Sequence, residues 1–157
     1  MNCLPFSPPN RQWSTVIHNP PASSLVSLAA FLSEFEAPAF NAGDVVAPQP
    51  EDGVYQMSYA RYEPIVDRFR LEAYRHGWIL DFDWMEWTGS LEAKQLRDDE
   101  AALSQATPMQ LMKLLTVCIR AERFSEGALL DAFHSGLILG IVRRAAALAC
   151  DRGDRCN

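Results

Sequence analysis

The chain reads as an all-α domain of five or six helices behind an extended, proline-rich lead-in. Three observations predict this class. Apolar residues recur at helical spacing through most of the chain beyond residue 22, Pro and Gly punctuate those runs at their ends, and no stretch alternates convincingly between apolar and polar residues. With 157 residues, 48% of them hydrophobic, the chain fits one domain able to bury a core. The expected layout is a lead-in over residues 1–22, a single helical domain over 23–150 and a polar tail over 151–157.

The lead-in carries Pro5, Pro8, Pro9, Pro20 and Pro21, each of which removes a backbone donor and opposes helix. A first helix is expected from Ser23 or Ser24, either of which can cap it, with Leu25, Leu28, Leu32 and Phe35 on one face and Pro38 as its stop. A loop follows to Gln56, with room for a short strand at Val45–Val46. Tyr59, Tyr62, Val66, Phe69 and Ala73 share a helical face, so a second helix is read from about Ser58 to His76, closed by Gly77. Asp83 and Glu86 have the N-cap and N3 spacing of a capping pair, which starts a third helix whose apolar pattern fades after Leu96, before a short segment through Ala106.

Thr107-Pro108-Met109-Gln110 is the clearest local signal: Thr as N-cap, Pro at the first helical position and Gln three residues after the cap. Leu111, Leu114, Leu115, Cys118 and Ile119 form the buried stripe of that helix, with Arg120 and Arg123 in its last turn. Ser125 is expected to cap the next helix, which ends or kinks at Gly136 before a last, largely apolar helix from about Leu137 to Cys150.

Charge and cysteine usage exclude several functions. The net charge of −6 disfavours a generic nucleic-acid binder, which needs clustered Lys and Arg to displace counterions. The charge divides as −2 over residues 1–50, −6 over 51–106 and +2 over 107–157, a polarity that either packs internally or recruits a basic partner. Cys3, Cys118, Cys150 and Cys156 form no Cys-x-x-Cys pair, so neither zinc nor a disulfide framework is expected, and reduced cytoplasm is the expected home. No apolar run reaches the roughly 18–20 residues of a membrane span.

FDWMEW at residues 82–87, then the Pro-started helix, then RAERFSEGALLDAFHSGLILGIVRR at residues 120–144 resemble the bacterial family called domain of unknown function 6508, over about residues 57–148. The resemblance implies a helical fold and a bacterial origin. It assigns no reaction, catalytic residue or cofactor.

The candidate site residues come from the residues themselves. Arg120 and Arg123, facing the Ser125-Glu126-Gly127 start of the next helix, could hold a small anion with outward backbone N–H groups; the plainer reading pairs them with Glu122, Glu126 or Asp131. Trp84 and Trp87 share a helical side and serve either as core anchors or as an aromatic patch for a partner. Asp81, Asp83 and Glu86 have oxygen ligands but lack the full set and glycine turn of a calcium loop, so no metal is expected. Arg70 and His76 are similar in spacing to the Arg and His of helical HEPN-type ribonucleases, where such a pair would assist attack by a 2′-hydroxyl. No phosphate loop or dinucleotide fingerprint is present.

Two functions are therefore expected in order. Homo-oligomerisation through an exposed aromatic patch is open to both; the first is a non-enzymatic module that binds a protein partner through the surface from Arg123 to Phe133 or the Trp84 and Trp87 face. The second is an enzyme on a helical scaffold, either ribonuclease-like or acting on a small anionic substrate. No cofactor is expected for either.

Overall fold

A computed structural model describes residues 20–48 and 57–153. The expected lead-in lies outside these residues up to position 19, and the tail beyond 153. The described chain runs through α1 (Ala22–Ala29), α2 (Leu32–Phe35), β1 (Gly43–Val46), β2 (Tyr59–Tyr62), α3 (Pro64–Arg75), α4 (Trp84–Thr88), α5 (Leu91–Asp98), α6 (Glu100–Ser104), α7 (Pro108–Ala121), α8 (Ala128–His134) and α9 (Leu137–Asp151).

The architecture is mostly helical, but not all-α: β1 and β2 pair antiparallel with Gly43 opposite Tyr62 and Val46 opposite Tyr59. This corrects the second helix. Tyr59 and Tyr62 sit at helical spacing from Val66, yet the helix begins only at Pro64, whose fixed φ and missing N–H suit a first helical position. Gly43 is needed for the pairing, because its φ of +138° and the Arg61 carbonyl, which a Cβ would overlap, exclude any side chain.

More helices form than expected because two of the anticipated ones are divided. The first breaks at Ala30 and Phe31 into α1 and α2, and Pro21, not a serine, precedes it without a side-chain cap. The third breaks at Gly89, and Ser90 recaps α5 by accepting the Ala93 N–H. Asp99 then caps α6. The capping box of α7 forms as its sequence indicates, with Gln110 N–H donating to Thr107 Oγ1 and Thr107 N–H donating to Gln110 Oε1.

One hydrophobic cluster gathers α1–α3 and α5–α9. Its centre is aromatic: Phe31, Phe35, Phe40, Phe69 and Phe133 pack ring against ring at 5.0–5.9 Å, several edge to face. Helix α9 runs through the middle and buries Ile138, Ile141, Val142, Ala145 and Ala149. Gly140 lets α6 approach it closely, since a Cβ there would stand 2.5 Å from Leu103 Cδ2.

The segment that carries the chain from α3 to α4 is tied down by side chains. Trp78 is fully buried and its indole N–H donates to the Ser24 carbonyl, while the Ser24 hydroxyl donates to the His76 carbonyl. Thr116, buried in α7, accepts the Leu80 N–H and donates to the Met112 carbonyl. These bonds satisfy polar groups that would each cost about 1–3 kcal/mol if buried alone, and they fix where α4 begins.

Among the described residues no single helix is long and apolar enough to cross a membrane.

Candidate functional site

The surface of interest forms where α4 meets the corner between α7 and α8. Asp83 caps α4 by accepting the Glu86 N–H at 3.0 Å, which sets Trp84, Met85 and Trp87 around one short helix. A helix turns 100° per residue, so Trp84 and Trp87 lie within 60° of each other, yet their environments differ. Trp87 turns inward: its indole N–H donates to Glu92 at 2.7 Å, Lys113 Nζ lies 5.5 Å from the ring centroid, and Phe82 packs against it edge to face. Glu92 also accepts from Gln110 at 2.9 Å. The bonds from Gln110 and Trp87 hold its carboxyl below the ordinary value of 4.5 despite partial burial. Trp87 is thus a half-buried anchor between α4, α5 and α7.

Trp84 instead packs its ring against Phe124, with centroids 5.7 Å apart and the planes tilted by 46°. Phe124 is 70% exposed and Met85 55%. The two surfaces considered separately in the sequence, the Trp84 face and the Arg123 turn, are therefore one.

The geometry of the corner explains why Phe124 points outward. Helix α7 stops at Ala121, whose carbonyl accepts both the Phe124 and Ser125 N–H groups. Glu122 then folds back: one carboxylate oxygen accepts the Gly127 N–H at 3.1 Å and the other the Leu129 N–H at 2.9 Å. The start of α8 is thus held by a carboxylate from the preceding turn. Ser125 contributes its carbonyl to the Ala128 N–H, not a side-chain cap, and the N-cap is Gly127 with φ +86°. Glu126 accepts the Ala60 N–H at 2.8 Å and so binds the corner to β2.

These contacts place each expected anion-site residue. The two N–H groups donating to Glu122 are not open to an external anion. Arg120 stands 3.8 Å from Asp81. Arg123 lies beyond the end of α7, is exposed, and has no ion pair among the described residues. Below the corner the Tyr62 hydroxyl is buried without a hydrogen-bond partner at proper geometry. Burial first, and then the neighbouring Glu122 carboxylate, push that phenol well above its ordinary value of 10.

A second feature is a cleft of about 880 Å³ between α5, α6, α7, α8 and α9, floored by Leu103, Val117, Cys118 and Gly140. Arg97, Arg143 and Arg144 line it, each already engaged: Arg97 with Asp98 at 3.5 Å, Arg143 with Glu36 at 2.8 Å, and Arg144 with the Ala106 carbonyl at 2.9 Å. Burial pushes the Cys118 thiol up to about 12, so it is no nucleophile. Arg70 and His76 do not converge. Six residues apart on one helical path, they project about 120° apart; Arg70 pairs with Asp67 and His76 with Glu72. Among the described residues no three His, Cys, Asp or Glu side chains gather as a metal site. Cys150, exposed at the end of α9, is disulfide-bonded.

Glu122 is not foreseen as a cap, and Phe124 enters only as part of the expected Arg123 to Phe133 surface, of which Leu129, Leu130, Ala132 and Phe133 are buried. The first signal was present: a Glu five residues before a Gly that opens an apolar run. The exposure of Phe124 has no local signature.

A family model described as a family of unknown function (DUF6508) matches residues 20–151. No curated protein and no solved structure matches the chain.

Proposed function

We propose that this chain, which belongs to the family of unknown function DUF6508, is a protein-interaction module whose partner docks on the face made by Trp84, Met85 and Phe124. The supporting observation is the Trp84–Phe124 stack: two aromatic rings from separate elements brought together at 5.7 Å, with the outer ring 70% exposed. Single exposed apolar residues are ordinary on a protein surface, whereas a contiguous aromatic group gains by being covered. Trp and Arg are also enriched among residues that dominate binding energy, and Arg123 adjoins the stack.

Other exposed apolar pairs are less suited. Leu71 and Tyr74 on α3 lie among arginines already engaged, Arg68 with Glu34, Arg70 with Asp67 and Arg75 with Glu72. The cleft along α9 is the observation that favours the second reading, an enzyme or carrier for a small anionic molecule. It has volume and arginines, but each arginine is engaged within the chain and its thiol is protonated at neutral pH.

Replacing Phe124 by a photo-crosslinking phenylalanine analogue in the native cell is expected to yield a discrete protein adduct on irradiation. The same analogue at Leu91, which is 72% exposed and takes no part in the Trp84–Phe124 pair, is expected to yield none. Equal adduct patterns at the two positions would overturn the proposal.

A further inference from the structure

We infer that the partner on this face is a second copy of the chain, related by a two-fold axis that sets Arg123 of each copy against Asp83 and Glu86 of the other. This rests on the reading of the Trp84–Phe124 face as a binding surface and names its occupant.

A two-fold interface brings the same patch against itself, so the patch must be its own complement in shape and in charge. The aromatic stack supplies a centre that is apolar from both sides. On the Phe124 side stands Arg123, exposed and without an ion pair among the described residues. On the Trp84 side stand Asp83 and Glu86, both exposed; Asp83 spends one carboxylate oxygen on the Glu86 N–H, and neither meets a basic side chain among the described residues. A two-fold axis through the stack and perpendicular to the line from Trp84 to Phe124 exchanges its two sides. It therefore lays the cation of one copy over the carboxylates of the other, twice.

The same two segments already pair once within a copy, at Arg120 and Asp81, 3.8 Å apart. Opposite charges from the α7 end and the α4 approach thus already meet within a copy at this corner. Among the described residues, the face thus carries a cation without an ion pair at Arg123, next to Phe124 in the chain, and carboxylates without one at Asp83 and Glu86, close to Trp84 in the chain. The Leu71–Tyr74 strip lacks this property because the charges around it are closed within the chain.

Sedimentation velocity of the full chain, from low to high micromolar concentration and with reductant present, tests the inference. The wild type is expected to shift from monomer to dimer with rising concentration. Phe124→Glu, at an exposed position that leaves the core untouched, is expected to remain monomeric throughout. Arg123→Glu and Glu86→Arg are each expected to weaken the dimer by about tenfold, and the two together to recover most of that loss, because the exchanged signs match again across the axis. Circular dichroism of every variant confirms that it folds.

A wild type that is monomeric at all concentrations would overturn the inference. So would a dimer that Phe124→Glu leaves intact, or a double variant no tighter than the singles. A monomeric chain whose crosslinker at position 124 still captures a different protein would remove the second copy and leave the interaction reading standing. Loss of both signals would remove both.

Discussion

Replacing Glu122 by Ala removes the carboxylate that holds the start of α8. Two backbone donors lose their partner, Gly127 N–H at 3.1 Å and Leu129 N–H at 2.9 Å. A hydrogen bond to a charged group contributes about 1.5–3 kcal/mol when well buried. These two are partly buried, so about 1 kcal/mol each is the appropriate scale, and loss of a carboxylate beside a helix N-terminus adds about 0.3–1 kcal/mol. The expected cost is about 2–3 kcal/mol, felt by the whole fold because α8 buries Leu129, Leu130 and Phe133 in the common core. Glu122→Gln keeps an acceptor for one donor and turns an amide NH2 toward the other, so about half the loss is expected. Ser125→Ala is the decisive control. Its side chain makes no cap, and a change within about 0.5 kcal/mol is expected, as for most exposed sites. Urea unfolding followed in parallel by tryptophan fluorescence and far-ultraviolet circular dichroism measures all three. An Ala variant at position 122 within about 0.5 kcal/mol of wild type, or a Ser125→Ala variant as damaging as Glu122→Ala, would refute the assignment of the cap.

Two further outcomes test other parts of the fold. Gly43→Ala is expected to destabilise by at least about 2 kcal/mol, since it forces a side chain into a positive-φ position against the Arg61 carbonyl; an unchanged melting temperature would contradict the β1–β2 register. Glu92 has a folded-state carboxyl held low by Gln110 and Trp87, so its contribution is present above the ordinary value of 4.5 and fades as pH falls through the lower folded value. Glu92→Gln should therefore be less stable than wild type at neutral pH and converge with it in acid. A gap between the two that stays constant with pH, read from urea midpoints, would show that the carboxylate's charge plays no part.

What could be read from the sequence was whatever the chain settles within a turn or two. Thr107, Pro108 and Gln110 specify the start of α7 among themselves, and Asp83 does the same for α4, because donor and acceptor lie three residues apart. Tyr59 and Tyr62 misled because a spacing of three is compatible with a helix, and the deciding partner, β1, lies more than a dozen residues away; Pro64 was the local clue. Ser125 was a reasonable cap by residue type, but a longer side chain from the previous turn reached the same donors first. The halves of the candidate surface were legible as residue types, Trp84 and Arg123. Their junction was not, because it depends on the angle at which α4 meets α7, and that angle is set by Trp78 and Thr116 bonding to distant backbone.

The corner between α7 and α8 divides its residues by task. Glu122, Glu126 and Gly127 hold the backbone, through the N–H groups of Gly127 at the α8 cap and Leu129 within α8, one of β2 and a left-handed turn. Arg123, Phe124 and Ser125, between them, are exposed; their side chains hold no backbone in place. Three consecutive positions can therefore vary in size, polarity and charge while the scaffold under them stays put. In evolutionary terms such a corner can acquire a new recognition preference by drift at three codons, with no compensating change elsewhere in the fold.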